Sequence, residues 1–166
     1  MKVLVLFSAA ILFVTPAFAG KKEKAAPVPN AQLSQVRWGS VVNDLPFDEK
    51  SLEGKVVVVE EWGVNCPPCI ASLPEMAKLA SRYDDKGLVV IGLECQNSSK
   101  EAILAIIKKS RVKYPIMAGG SAPASTGSIP HACVFDHTGK LVWHGHPADD
   151  AFEDAVKDAL KGMPKI

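Results

Sequence analysis

Two cysteines two residues apart carry the plainest chemistry of this chain, in the stretch Trp62-Gly63-Val64-Asn65-Cys66-Pro67-Pro68-Cys69. An apolar run, Val56-Val57-Val58-Val59, leads into it, and a helical pattern from Ile70 to about Tyr83 leads away. A helix N-terminus presents free backbone N–H groups and the positive end of the macrodipole, so it favours negative charge. A thiol placed there ionises more readily, and the thiolate is the nucleophile of disulfide exchange. Cys66 is therefore the expected attacking sulfur, at the exposed lip of the turn. Cys69, one helical turn later, faces the same way and can close a disulfide with it. Pro67 and Pro68 suit a first helical turn, where no N–H partner is needed, and they stiffen the loop between the sulfurs.

A metal is the competing use of such a pair. A zinc site needs four ligands, usually from a second Cys-x-x-Cys or a closely spaced His pair. The chain has no second Cys-x-x-Cys, and His144 and His146 lie far downstream. A strand handing over to a helix is the context in which the motif reads as redox. No metal and no organic cofactor are expected, because the disulfide itself carries the electrons.

Trp62, the Cys66-Pro67-Pro68-Cys69 centre, Pro74 and the distant Ile129-Pro130 together resemble the thioredoxin superfamily. They are most similar to its exported TlpA/ResA-type thiol-disulfide oxidoreductases, and the likeness runs from about Val41 to the C-terminus. The resemblance implies a thioredoxin fold and exchange of disulfides with protein thiols, fed by an upstream electron donor. It also implies roles. Ile129 and a cis Pro130 would form the substrate platform, with Trp62, Pro67 and Pro68 beside it. Glu60 falls six residues before Cys66, where thioredoxins bury an acid, and would accept the proton of Cys69. Read from the residues alone, Glu60 or Glu61 could instead reach solvent at the strand end, since a strand alternates its faces. Three positions depart from the family pattern, one of them Glu61, which replaces an expected aromatic or apolar residue and has no physical account in the sequence. Asn65 stands where a tryptophan is common, and Ser72 where the TlpA/ResA type often has glutamate.

The elements that must hold this centre follow from periodicity. A short strand near Val41 and a turn at Leu52-Glu53-Gly54-Lys55 precede the strand Val56 to Glu61, whose four valines read as buried on both faces. The helix after Cys69 places Leu73, Met76, Ala77, Ala80 and Tyr83 on one face. Leu88 to Leu93 is a second buried strand, parallel to the first. Ser98-Ser99-Lys100-Glu101 reads as a capping box for a helix burying Ile103, Ile106 and Ile107. Tyr114 to Met117 is a short extended piece, and Ala118 to Ser128 a small, flexible stretch. Asp136-His137-Thr138-Gly139 turns a hairpin. A last helix near Asp149 or Asp150 has Glu153 placed for a capping box and buries Phe152, Ala155, Val156, Ala159 and Leu160. The expected order is β-β-α-β-α-β-β-α: an α/β thioredoxin fold, a mixed sheet with helices on both faces and a short N-terminal strand added.

Cys95 and Cys133 fall on strands either side of the central one. Their spacing of at least ~9 Å exceeds the ~7 Å a disulfide allows. Cys95, at the active-site edge, is a candidate extra redox thiol or a solitary one. His131, after the platform proline, could raise the local positive potential near Cys66.

Lys2, the apolar run Val3 to Val14 and Ala17-Phe18-Ala19 read as a secretory signal over residues 1–19, with an uncleaved anchor as the alternative. The apolar run is shorter than the ~20 residues of a spanning helix. Residues 20–36 read as a disordered Lys-, Ala- and Pro-rich lead, and 37–166 as the domain. The whole chain has 19 basic and 18 acidic residues, and loss of Lys2 with the signal would leave none in excess. That balance gives no basic face for nucleic acid. A periplasmic or secreted monomer is expected, acting as a reductant, since no histidine separates the cysteines as in strongly oxidising relatives. The alternatives are a disulfide oxidase or isomerase, or a non-catalytic thioredoxin-fold binding module whose disulfide is structural.

Overall fold

The computed structural model describes residues 27–164, so the expected signal and most of the expected lead lie outside the described residues. Six strands form one sheet: β1 (Arg37–Val41), β2 (Val56–Trp62), β3 (Leu88–Glu94), β4 (Ile116–Ser121), β5 (His131–Phe135) and β6 (Leu141–Gly145). Their order is β1-β4-β3-β2-β5-β6. β2, β3 and β4 run parallel, while β1, β5 and β6 each pair antiparallel with a neighbour. The helices are α1 (Pro67–Tyr83), α2 (Lys100–Lys109) and α3 (Asp150–Lys161).

β2 lies at the centre of the domain. Val56 to Val59 are all fully buried. Val56 and Val58 face a layer with Leu73 and Met76 of α1 and Phe152 of α3, whereas Val57 and Val59 face Phe135 and Leu141. Each valine so buried contributes about 1.5–3 kcal/mol of transfer free energy. Two right-handed crossovers, β2-α1-β3 and β3-α2-β4, step the same way across the sheet and so set both helices on one face. α3 joins that layer through Phe152 and Val156. The second face, where helices were also expected, is covered by short 3-10 turns at Leu33–Gln35 and Glu49–Leu52 and by the loop holding Ala122 and Ala124.

Four local expectations change. Ala118 to Ser121 are strand rather than flexible loop, because they pair with β1, so the chain has one strand more than the periodicity indicated. Gly39 explains the close fit: a Cβ there would come within 2.6 Å of the Gly119 carbonyl oxygen. The domain also begins earlier than residue 37. Ala31 and Val36 are buried, and backbone bonds join Leu33 N–H to Gly139 O (2.7 Å) and Leu141 N–H to Ala31 O (2.9 Å). At α2 the cap is Ser99, which accepts from Ala102 N–H, while Ser98 turns back to Glu94. Glu153 makes no capping box on α3; it bonds Arg82 and Tyr83 of α1 and pairs with Lys157.

Candidate active site

Cys66 is the N-cap of α1 and Pro67 and Pro68 open its first turn. The two cysteines form a disulfide, with Cα atoms 5.2 Å apart. Cys69 N–H donates to Cys66 Sγ at 3.3 Å, so the same amide stands ready to stabilise a thiolate once the bond opens. Cys69 is fully buried, and Cys66 is only 7% exposed rather than at an open lip. The cover comes from the cis Ile129–Pro130 segment, whose Ile129 carbonyl oxygen lies 3.7 Å from Cys66 Sγ. Pro130 is buried and Ile129 half-buried, so the expected platform residues and the disulfide are in one place. Pro67 and Pro68 are exposed beside them. Trp62 is not at the surface: it is fully buried beneath the site, its indole against Gly92. It therefore supports the site and offers no contact to a partner.

Glu60 points from β2 into the layer shared with α1 and is fully buried. Burial pushes its carboxyl from 4.5 up to about 7, with hydrogen bonds from Ser72 and Tyr114 pulling the other way. Tyr114 O–H donates to Glu60 Oε2 at 3.2 Å. Ser72 Oγ lies 3.2 Å from Glu60 Oε1 and 2.8 Å from the Cys69 carbonyl oxygen. Position 72, one turn beyond Cys69, thus links the buried acid to the backbone of the second cysteine.

Glu61, for which the sequence offered no account, faces the other side of the sheet. It accepts Ala122 N–H at 3.0 Å through Oε1 and anchors the loop that runs to Ile129. Its register partner on β5 is His131, which is buried on that same second face. His131 therefore does not lend charge to Cys66, and its burial lowers its pKa. Cys95 and Cys133 are free. Cys95 is exposed at the surface, yet partial desolvation with added repulsion from Glu61 and Glu94 pushes its thiol up to about 11, and burial with Glu61 pushes the buried Cys133 to about 12. Both stay protonated at neutral pH, which makes them poor nucleophiles. Among the described residues no group of three or more His, Cys, Asp or Glu side chains is placed to hold a metal.

Sequence reasoning missed Glu94 and Gln96. Glu94 is fully buried at the end of β3 and accepts Ser98 N–H (3.1 Å), Ser98 O–H (2.8 Å) and Val64 N–H (3.4 Å). Gln96 Oε1 accepts Asn65 N–H at 2.8 Å, and Cys95 N–H donates to Trp62 O at 2.9 Å. The loop that delivers Cys66 is thus held along one side by three successive residues, Glu94 at the end of β3 and Cys95 and Gln96 just after it. The visible signal was a charge closing an apolar run, as at Glu60.

The Redoxin family matches residues 24–160 of this chain. A thiol-disulfide oxidoreductase ResA of Bacillus cereus is 28% identical over 129 residues, covering 74% of this chain and 70% of the relative. A ResA of Bacillus anthracis is 27% identical, covering 98% of this chain and 91% of its own length. Among solved structures, a thioredoxin-family thiol:disulfide interchange protein of Chlorobium tepidum superposes with a TM-score of 0.65 at 25% identity, covering 82% of this chain and 99% of that one. A protein of Sinorhizobium meliloti gives a TM-score of 0.69 at 17% identity, a likeness of fold, over 84% of this chain and 87% of that one. With the disulfide, its helix-capping position and the cis-proline segment already in place, the matches settle the family: this chain belongs to the Redoxin family, as a thiol-disulfide oxidoreductase of the thioredoxin superfamily's ResA type.

Proposed function

We propose that the protein is exported and reduces disulfides in partner proteins through Cys66. The observation that carries this reading is Glu60, a buried acid with a pKa near 7, joined through Ser72 to the backbone of Cys69. An acid of that pKa can take a proton near neutral pH and release it again, which is what a resolving thiol requires.

In the reduced protein the Cys66 thiolate attacks one sulfur of the partner disulfide. A bond forms between Cys66 and that sulfur, and the partner's second sulfur leaves as thiolate. Cys69 then gives its proton to Glu60 and attacks Cys66, forming the Cys66–Cys69 bond and releasing the partner's other thiolate. Two electrons pass to the partner. An upstream dithiol donor restores the pair by the reverse sequence. Ile129 and Pro130 present backbone to the partner strand, with Pro67 and Pro68 at the rim. Export is supported by the Lys2-to-Ala19 pattern, and the working form is a monomer in the periplasm or outside the cell.

The test is trapping. The full chain carrying Cys69→Ala should accumulate a covalent adduct through Cys66 with a disulfide-bonded protein, and Cys66→Ala should accumulate none. Adducts through Cys95 instead would contradict the assignment.

A further inference from the structure

We propose that Ser72 is a proton relay, carrying the proton of Glu60 to and from solvent through the cleft between α1 and α3. The proposal rests on the reading of Glu60 as proton acceptor. Glu60 has no surface of its own. Its two oxygens meet two hydroxyls, Tyr114 and Ser72. Tyr114 is itself buried, and its phenol is held well above its usual range by burial and by Glu60, so it is no exit. Ser72 is half-buried, and it lines a cleft of about 620 Å³ together with Pro68, Met76, His146, Asp149 and Phe152. It is the hydroxyl that touches both the buried acid and this cleft.

Ser72 has one proton and two acceptors within reach, Glu60 Oε1 at 3.2 Å and Cys69 O at 2.8 Å. When Glu60 is protonated, its O–H can donate to Ser72 Oγ while Ser72 O–H donates to Cys69 O. When Glu60 is ionised, Ser72 O–H turns to the carboxylate. In release, Glu60 passes its proton to Ser72 Oγ as Ser72 passes its own to water in the cleft. The hydroxyl is regenerated and the net change is one proton out. Cys69, Ser72 and Met76 follow one another at helical spacing, which sets the relay beside the resolving cysteine.

The titratable groups around Glu60 are few. From α1 it meets Ser72, whose hydroxyl also reaches the Cys69 carbonyl oxygen; from the approach to β4 it meets Tyr114, and on β3 Glu94 stands two residues past its register partner Gly92. Its β5 partner is Ala132. The cleft adds Glu75 and Arg82 on the α1 side, and His146, Asp149, Asp150, Glu153, Asp154 and Lys157 before and along α3.

The test compares stopped-flow reduction of one disulfide-bonded protein by the reduced wild type, Ser72→Ala, Ser72→Thr and Glu60→Gln across the neutral pH range. The expected result is that Ser72→Ala slows resolution about 10-fold and moves the acid limb upward by about half a pH unit. Ser72→Thr should keep the wild-type profile. Added imidazole, small enough for the cleft, should restore the rate of Ser72→Ala, which repair of mere packing would not do. A Ser72→Ala profile equal to wild type, in a comparison where Glu60→Gln abolishes the pH limb, would overturn the relay and leave Glu60 standing. An unchanged Glu60→Gln profile would overturn both.

Discussion

At the residue scale the account turns on Glu60. Its folded pKa of about 7 lies above the ordinary 4.5, so the folded state holds a proton that the unfolded chain gives up. Stability from this group is fully present below about 4.5, falls as pH rises, and is gone above about 7. The size is about 3 kcal/mol. Urea denaturation of the wild type should lose that much between those limits, and Glu60→Gln, neutral throughout, should not. A pH-independent difference between the two would contradict the buried neutral acid. Glu60 was legible in the sequence as a charge six residues before Cys66. Its partners were not, because Ser72 and Tyr114 reach it from 12 and 54 residues away. Trp62 was misplaced for a similar reason. The family resemblance set it beside the substrate platform, whereas Gly92 on the neighbouring strand leaves a slot that its ring fills.

At the scale of elements, two strand-to-helix junctions are tied together. Glu94 holds Val64 and Ser98, so it couples the Cys66 loop to the start of α2. Glu94→Ala leaves two backbone N–H groups and a hydroxyl without their partner. It should cost about 2–3 kcal/mol in chemical denaturation and speed hydrogen exchange at the Val64 amide. Gly92 marks where β3 meets its neighbours: a Cβ there would stand 2.5 Å from Ile116 Cδ1 and 3.2 Å from the Trp62 indole nitrogen. Gly92→Ala should therefore lower stability by about 1–3 kcal/mol, seen as a lower midpoint in urea. The strands β2 and β3 were readable as unbroken apolar runs, and the helix α1 because apolar residues recur at its period. β4 was not, since its Ala118-Gly119-Gly120 carries no periodic signal and becomes strand only through pairing with β1. The capping boxes misled because Ser98 and Glu153 found partners in other elements.

For the whole molecule, the sheet has helices on one side and a cover of turns and coil on the other. The stretch from Ala31 to Val36 belongs to that cover, so a chain started at Arg37 loses two buried side chains and the bonds to Gly139 and Leu141. That truncation should destabilise the protein by about 3 kcal/mol, lowering its thermal midpoint while leaving the disulfide able to form. Composition alone read this stretch as a lead, because its lysines and prolines lie beside the few apolar residues that dock. The central claim concerns direction of electron flow, and one measurement addresses it: equilibrium of the Cys66–Cys69 pair with reduced and oxidised glutathione, followed by alkylation and mass. A reductant predicts a potential near or below about −250 mV. A value between about −180 and −120 mV would contradict it and assign the protein to disulfide formation or isomerisation, and no exchange within hours would leave a binding module with a structural disulfide.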